Sequence, residues 1–119
     1  FGARPWNDVI SVDKRNQILN AADYISSGRV PAILESRMQA VLLPRETRDG
    51  RVKSVSVVNC EIGVARGAKL RIRRPAGSRF VFMSQHCGES VLEARFSGDE
   101  AVAELLPLEP WSVGTVFID

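Results

Sequence analysis

Apolar and polar residues alternate with a period of two along most of the chain beyond residue 37, a pattern that predicts β-strands. In the clearest run, Leu70 and Ile72 would face a core while the charged residues between them face solvent. Turn signals such as Asp49-Gly50 and Ser97-Gly98-Asp99 recur about every 8–12 residues. The predicted strands are residues 38–43, 52–59, 68–73, 79–84, 90–96, 100–106 and 111–118.

Seven short strands without alternating helices predict an all-β fold, a seven-stranded antiparallel immunoglobulin-like β-sandwich. A β-barrel is the alternative. Residues 79–84 are almost continuously apolar and should form a central strand covered on both faces. The last strand is expected to close a sheet, after Pro107 and Pro110 have carried the chain from one sheet to the other. Trp111 should then seal the core, so that Trp111→Ala would cost about 3–5 kcal/mol.

The N-terminal quarter of the chain has a helical pattern instead. Residues 12–27 form an amphipathic helix in this interpretation, with Gly28 as its stop. Residues 30–32 are predicted to be an extended connector. The domain prediction is therefore a connector with an amphipathic helix over residues 1–29 and a β-sandwich over residues 30–119. The apolar stripe, expected to pack on the β-domain, is Ile18, Leu19, Ala22 and Ile25.

Composition is that of a globular domain, with 119 residues, 45% hydrophobic and 25% charged. No apolar run approaches the roughly 18 residues of a transmembrane helix. The chain begins at Phe1 without a signal-peptide hydrophobic region, so we expect a piece of a longer protein or a processed product. Cys60 and Cys87 are expected to be buried free thiols of a cytoplasmic protein, with a single bridge between them left open.

Charge is unevenly distributed along the chain. Residues up to Arg74 include 14 basic and 7 acidic ones, whereas those from Pro75 onward include 2 basic and 7 acidic ones. This pattern allows a basic nucleic-acid face or oppositely charged strands that lie side by side in one sheet. The basic residues are not interleaved with aromatic ones, as single-strand binding requires. The second interpretation is therefore favoured, and no nucleic-acid partner is predicted.

No catalytic residue, metal site or cofactor site is predicted. His86 and Cys87 are neighbours and would point to opposite faces of a strand, which separates a thiol from its base. One histidine and two scattered cysteines lack the spacing of zinc ligands. Carboxylates could act in pairs, as in glycosidases, but each lies on a turn or an outward position of a predicted strand. These carboxylates are Glu89, Glu93, Asp99, Glu100 and Glu104.

Exposed aromatic residues could stack on sugar rings or contact another domain. The candidates are Trp6, Tyr24 and Trp111, although a structural role for the two tryptophans is the simpler interpretation. The phenylalanines fit core positions, and these are Phe80, Phe82, Phe96 and Phe117.

Several runs resemble the terminal β-sandwiches of multidomain glycoside hydrolases of the β-galactosidase-like class. The runs are Val55-Ser56-Val57-Val58-Asn59, Leu70-Arg71-Ile72-Arg73 followed by Pro75 and Gly77, Phe80-Val81-Phe82-Met83, and the ending LPLEPWSVGTVFI. RPWNDVIS and SGRVPAIL resemble the connector from an upstream domain. The resemblance implies a non-catalytic C-terminal accessory domain that packs on or supports the catalytic part, whose carboxylates would lie in an upstream barrel.

The expected partners are accordingly the upstream domains, with carbohydrate binding and homo-oligomerisation left open. An autonomous carbohydrate-binding module and a protein-interaction β-sandwich are the alternatives, and no membrane partner is expected.

Overall fold

The computed structural model describes residues 12–119, which contain one helix and nine strands. Trp6 lies outside the described residues. The helix α1 spans Val12–Ile25. The strands are β1 Ala32–Glu35, β2 Ala40–Glu46, β3 Val52–Asn59, β4 Lys69–Arg73, β5 Phe80–Ser84, β6 Gly88–Leu92, β7 Ala94–Ser97, β8 Glu100–Glu104 and β9 Val113–Ile118.

Helix α1 ends two residues earlier than predicted because its C-terminus adopts a Schellman motif. Ser27 has a left-handed φ of 55°, and Gly28 follows with a φ of 74°. The Gly28 N–H donates to the carbonyl of Asp23 at 2.8 Å, and the Ser27 N–H donates to that of Tyr24 at 3.1 Å. These two bonds satisfy the last carbonyls of the helix and stop its propagation.

The chain divides into two compact units, Phe1–Val30 and Pro31–Asp119. In the first unit the predicted apolar stripe of α1 is not buried, since Ile18, Ala22 and Ile25 are exposed and Leu19 is half-buried. The expectation that this stripe packs on the β-domain stays a prediction.

The second unit consists of two antiparallel sheets over one core. The four-stranded sheet has the order β1-β4-β8-β7, and the five-stranded sheet has the order β2-β3-β9-β5-β6. Alternate residues of both sheets fill the core, as in sandwich packing. The largest fully buried side chains come from both sheets and the loops between them: Phe80, Phe82, Leu70, Ile72, Leu108, Ile118, Val52, Val55, Val57, Val116 and Asn59.

The structure confirms an all-β, sandwich-like architecture, but two strands exceed the prediction of seven. One is β1, which lies just beyond the predicted connector. It pairs with β4 from Ala32 opposite Ile72 to Glu35 opposite Lys69, and an Arg71–Glu35 ion pair joins the two strands. Four residues are too few for a clear periodic signal, and only the pairing partner makes this segment a strand.

The other additional strand arises because the predicted strand 90–96 changes sheets. Leu92 pairs with Phe80 in the five-stranded sheet, whereas Ala94 pairs with Ala103 in the four-stranded sheet. Glu93, between them, is exposed. Apolar and polar residues keep alternating where the chain passes from one sheet to the other, because both sheets face the same core. The sequence pattern therefore does not reveal this change of sheet.

Strand β9 lies inside its sheet, paired with β3 on one side and β5 on the other. It is therefore a central strand, and the prediction that it closes a sheet is wrong. Its Gly114 faces the core, where a Cβ atom would lie 2.5 Å from Cε2 of Phe82. The small residue lets the Phe82 ring pack directly against the backbone.

Residues 105–112, here called the crossing segment, connect β8 to β9 and thus one sheet to the other, as the two prolines predicted. Leu105 and Leu108 point into the core and are 4% and 2% exposed. Trp111 is 68% exposed, in a turn with a φ of 54°. The prediction that Trp111 seals the core is therefore wrong, and Leu108 has that role.

Two of the phenylalanines predicted to be in the core also lie elsewhere. Phe117 and Phe96 are exposed by 41% and 51%, whereas Phe80 and Phe82 are buried. The ring of Phe96 packs edge-on against Phe80, with centroids 5.8 Å apart.

Candidate functional site

The side of the five-stranded sheet that faces away from the core is mostly apolar. We call this side the outer face. It is defined by the residues that alternate with core residues such as Val57, Phe82 and Val116 along the strands. These residues are Val41, Leu43, Arg45, Ser54, Ser56, Val58, Val81, Met83, Glu89, Val91, Val113, Thr115 and Phe117.

The register of the sheet makes the outer face continuous across all five strands. One row runs Leu43, Ser56, Thr115, Met83 and Glu89. The next row runs Arg45, Ser54, Phe117, Val81 and Val91. A shorter third row contains Val41, Val58 and Val113. Eight of the thirteen positions are thus apolar. They form two groups with Ser54, Ser56 and Thr115 between them.

Six of these apolar side chains are exposed to solvent. Their exposed fractions lie between 41% for Phe117 and 63% for Val91. In the middle of the outer face, the hydroxyls of Ser56 and Thr115 are 2.9 Å apart and hydrogen-bonded to each other. The central polar atoms therefore have a partner within the sheet, and the outer face can be covered there without leaving those hydroxyls unpaired.

The outer face is small. Strands about 4.8 Å apart and residues about 3.4 Å apart give roughly 400 Å² of projected area for its thirteen positions. The eight apolar positions make up roughly 250 Å² of it, within the few hundred Å² of apolar surface that monomeric soluble proteins expose.

The opposite side of the sandwich has the contrary character. On the four-stranded sheet, basic residues of β4 lie opposite acidic residues of β8, with Lys69 opposite Glu104 and Arg73 opposite Glu100. The Arg73 Nε to Glu100 Oε1 distance is 2.8 Å. The uneven charge along the chain is thus resolved by neighbouring strands, as the second interpretation of the sequence predicted. This charged, ion-paired side contrasts with the apolar outer face.

Two carboxylates that the sequence singled out lie close together in the fold. Glu93 and Glu104 both line two open depressions, of about 440 and 330 Å³, beside the point where the chain changes sheets. Arg66, Lys69 and Arg95 line the same depressions and balance the acidic charge. Both carboxylates are exposed to solvent, so the arrangement lacks the desolvated acid that a glycosidase requires.

The other predicted carboxylates are dispersed. Glu89 lies on the outer face, and Glu100 is held by Arg73. Asp99 lies in the turn between β7 and β8, where its backbone carbonyl accepts a hydrogen bond from the Arg74 N–H at 2.6 Å. Among the described residues, no group of three or more His, Cys, Asp or Glu side chains could hold a metal ion.

Both cysteines are free thiols. Cys60 is half-buried after β3, whereas Cys87 is exposed in the turn between β5 and β6, beside the exposed His86. The expectation that both are buried is therefore wrong, since Cys60 is only half-buried and Cys87 is exposed. Cys87 also has a weak sulfur contact. Its Sγ lies 3.6 Å from the carbonyl oxygen of Pro107, and that of Cys60 lies 3.7 Å from the carbonyl oxygen of Val58.

The predicted sugar or domain contacts lie in different parts of the chain. Tyr24 is in the first unit and is 88% exposed. Trp111 is in the second unit, two residues before the first outer-face position of β9. Their role as sugar or domain contacts stays a prediction, as does that of Trp6.

Sequence reasoning missed the outer face, although a signal for it was present. The continuous apolar run in residues 79–84 was interpreted as a strand covered on both faces. In the structure Val81 is buried on the outer side, while Met83 on the same side is 45% exposed. Strands β2 and β9 also have apolar residues at both their core-facing and their outward-facing positions. The same pattern in all three strands indicates an apolar outer face.

Comparisons of the chain with protein-family models, with curated proteins and with solved structures found no match. Within residues 12–119, no helix has both the length and the apolar character needed to cross a membrane.

Proposed function

We propose that this chain is a non-catalytic accessory β-sandwich domain that works by packing against protein through its outer face. The single observation that carries this proposal is the outer face of the five-stranded sheet, where eight of thirteen positions are apolar and six of those side chains are exposed. A surface of this kind gains free energy when a complementary protein surface removes it from water, at roughly 25 cal/mol per Å² of apolar area.

The enzyme context of the proposal comes from the sequence. The runs that resemble β-galactosidase-like glycoside hydrolases support a role in a carbohydrate-active enzyme, where the domain would support or pack on the catalytic part. Its location would be cytoplasmic, in keeping with two free cysteines. In this proposal Glu93 and Glu104 have no catalytic role, and catalysis belongs to another part of the parent enzyme.

The proposal includes an immunoglobulin-like topology. In immunoglobulin domains one sheet has the strand order A-B-E-D, and the other contains C′-C-F-G. The order β1-β4-β8-β7 supports an equivalence with A-B-E-D, and β6-β5-β9 supports one with C′-C-F. Strand β3 then takes the position of G beside β9, although it precedes β4 in the chain. The β2–β3 hairpin would be an insertion between A and B.

Two experiments test this function. The gene should be sequenced on both sides of the codon for Phe1; a barrel domain of about 250 residues in the same reading frame supports the enzyme context. A reading frame without any catalytic domain contradicts it. The chain itself should be assayed against a panel of aryl glycosides, where no hydrolysis is expected. If wild type hydrolyses a glycoside and Glu93→Gln or Glu104→Gln abolishes this, the domain is an enzyme and the accessory role is contradicted.

A carbohydrate-binding module is the second candidate, and the exposed ring of Trp111 is the observation that favours it. Flat sugar rings stack on such aromatic platforms. Titration with oligosaccharides, followed by tryptophan fluorescence, distinguishes the two functions. A saturable change in wild-type protein that is lost in Trp111→Ala supports sugar binding, and an unchanged spectrum supports the accessory role.

A further inference from the structure

We propose that the partner of the outer face is a second copy of this chain, packed face to face in a two-fold symmetric dimer. This inference rests on the proposed function, since it names the partner of the same surface. Three features of the sandwich support a second copy: the area of the outer face, the position of its charges and the state of one sheet edge.

The area of the outer face is sufficient for a small specific interface. About 400 Å² of projected sheet in each copy, together with the relief of the side chains, corresponds to roughly 1,000 Å² of total accessible surface. This is the lower limit for specific complexes and predicts a dimer that dissociates on dilution. Sheets that stack in this way lie about 10 Å apart, with strand directions within about 30° of each other.

The two charged side chains of the outer face are placed so that a second copy complements them. Arg45 lies on β2 and Glu89 lies on β6, the strands at opposite edges of the sheet. A two-fold axis parallel to β9 sets β2 of one copy over β6 of the other. Arg45 and Glu89 occupy neighbouring rows, about 7 Å apart along the strands, which an arginine side chain can span.

Two symmetric Arg45–Glu89 pairs would then flank an apolar centre. A two-fold interface requires this self-complementarity, because the same surface serves both copies. The pairs lie at the rim of the interface, where charged residues are normally found, while the apolar positions and the bonded hydroxyls of Ser56 and Thr115 occupy its centre.

One edge of the same sheet disfavours the other common way of joining β-domains, strand addition. The edge strand β2 contains Pro44, which has no N–H to donate, and its register with β3 shifts between Arg45 and Glu46. A proline and a bulge both blunt an edge against pairing with a further strand. Face-to-face packing is therefore the mode that this sheet favours.

Sedimentation velocity of the full chain over a range of micromolar concentrations tests the dimer. Wild type is expected to shift from monomer to dimer as its concentration rises. Leu43→Glu combined with Val91→Glu should weaken association by ~100-fold or more, because each interface would bury four new carboxylates. Ile62→Glu is the matched control, since Ile62 is 92% exposed on a loop outside the outer face, and it should dimerise as wild type does.

A charge exchange tests the two-fold arrangement with exposed residues that the fold does not need. Arg45→Glu alone and Glu89→Arg alone should each weaken the dimer by about tenfold. The two substitutions together should restore most of the wild-type association, because each new glutamate faces a new arginine of the other copy. Circular dichroism of every variant confirms that the fold is retained.

Three results would overturn the inference. If wild type remains monomeric at every concentration, the partner is not a second copy. The accessory role is then tested by the reading frame and the glycoside assays alone. A dimer that persists in the Leu43→Glu, Val91→Glu variant uses another surface, which overturns the inference and leaves the accessory role to the reading frame and the glycoside assays. Failure of the double charge exchange to restore association excludes the two-fold axis parallel to β9.

Discussion

The side-chain amide of Asn59 donates a hydrogen bond to the backbone carbonyl of Leu108 at 3.0 Å, where both residues are fully buried. The same Nδ2 lies within hydrogen-bonding distance of the carbonyls of Gly63 and Glu109, and Oδ1 accepts from the N–H of Glu61. One side chain therefore holds together the end of β3, the loop after it and the crossing segment. Through these bonds Asn59 places Leu108 in the core and Trp111 at the surface.

Asn59→Ala should therefore destabilise the domain by about 3 kcal/mol, because buried carbonyls and the Glu61 N–H lose their partners. Urea denaturation followed by fluorescence measures this loss. The control is Asn20→Ala, at an exposed position of α1, which should leave the denaturation midpoint of the β-domain unchanged. Equal midpoints in the two variants would show that the Asn59 bonds do not hold the crossing segment.

Gly114→Ala should cost about 1–3 kcal/mol, because the added methyl group overlaps the ring of Phe82 inside a well-packed core. Gly63→Ala is the matched control, since a Cβ atom there meets nothing within 4 Å. Its free energy of unfolding should stay within about 0.5 kcal/mol of wild type. Equal effects of the two substitutions would contradict the close approach of Phe82 to the β9 backbone.

The turn between β2 and β3 contains an acid whose pKa is below its usual range. The Thr47 hydroxyl, which donates to the Asp49 carboxylate, is the largest cause, and the nearby Arg51 and Arg74 add to it. A carboxyl group whose pKa is lower in the folded than in the unfolded chain stabilises the fold at pH values above its unfolded-state pKa. That stabilisation is lost as the pH falls through the folded-state pKa. The turn should therefore weaken only in acid.

Thr47→Val tests this assignment, because it removes the hydroxyl and keeps the shape of the side chain. The pKa of Asp49, followed by NMR titration of its carboxyl carbon, should rise toward the usual value. Thr115→Val, on β9, should leave it unchanged. A pKa of Asp49 that does not respond to Thr47→Val would assign the shift to the backbone hydrogen bond at Asp49 and to the two arginines.

Trp111→Ala should change the free energy of unfolding by no more than about 1 kcal/mol, because its ring is largely in water. Leu108→Ala, three residues earlier, should cost about 2–5 kcal/mol through the cavity it leaves. Chemical denaturation of both variants ranks the two side chains. If Trp111→Ala lowers the free energy of unfolding more than Leu108→Ala does, the Trp111 ring is part of the core.

Local pattern was sufficient for the elements in which a chain segment alone carries the signal. Strand β3 has the bounds that its β-branched run predicted, Val52–Asn59, and Leu70 and Ile72 of β4 face the core as their alternation required. The Asp49-Gly50 turn was recognised because glycine accepts the left-handed φ of 73° found there. The boundary of α1 differed by two residues, since Ser27 took the left-handed position expected of glycine.

The candidate site was not predicted, because a surface made from five strands has no local signature. Leu43 and Met83 belong to one row of the outer face, yet 40 residues separate them and their proximity follows from the register of three strand pairs. Each apolar residue of the outer face was interpreted within its own strand, where it was indistinguishable from core. The aromatic residues chosen as candidate contacts were selected by type, and residue type alone does not reveal position.

The sequence by itself determined that the chain is mostly β, that a helix, Val12–Ile25, precedes the strands, and that the proline-bounded segment carries the chain between sheets. Those features follow from periods of 2 and 3.6 residues and from backbone restrictions that act locally. Tertiary structure alone decided that β9 is central, that residues 88–97 divide between two sheets, and that Trp111 is exposed while Leu108 is buried. Alternation reports that a side chain faces some core, and only pairing between distant strands decides which sheet it joins and which apolar residues remain in water.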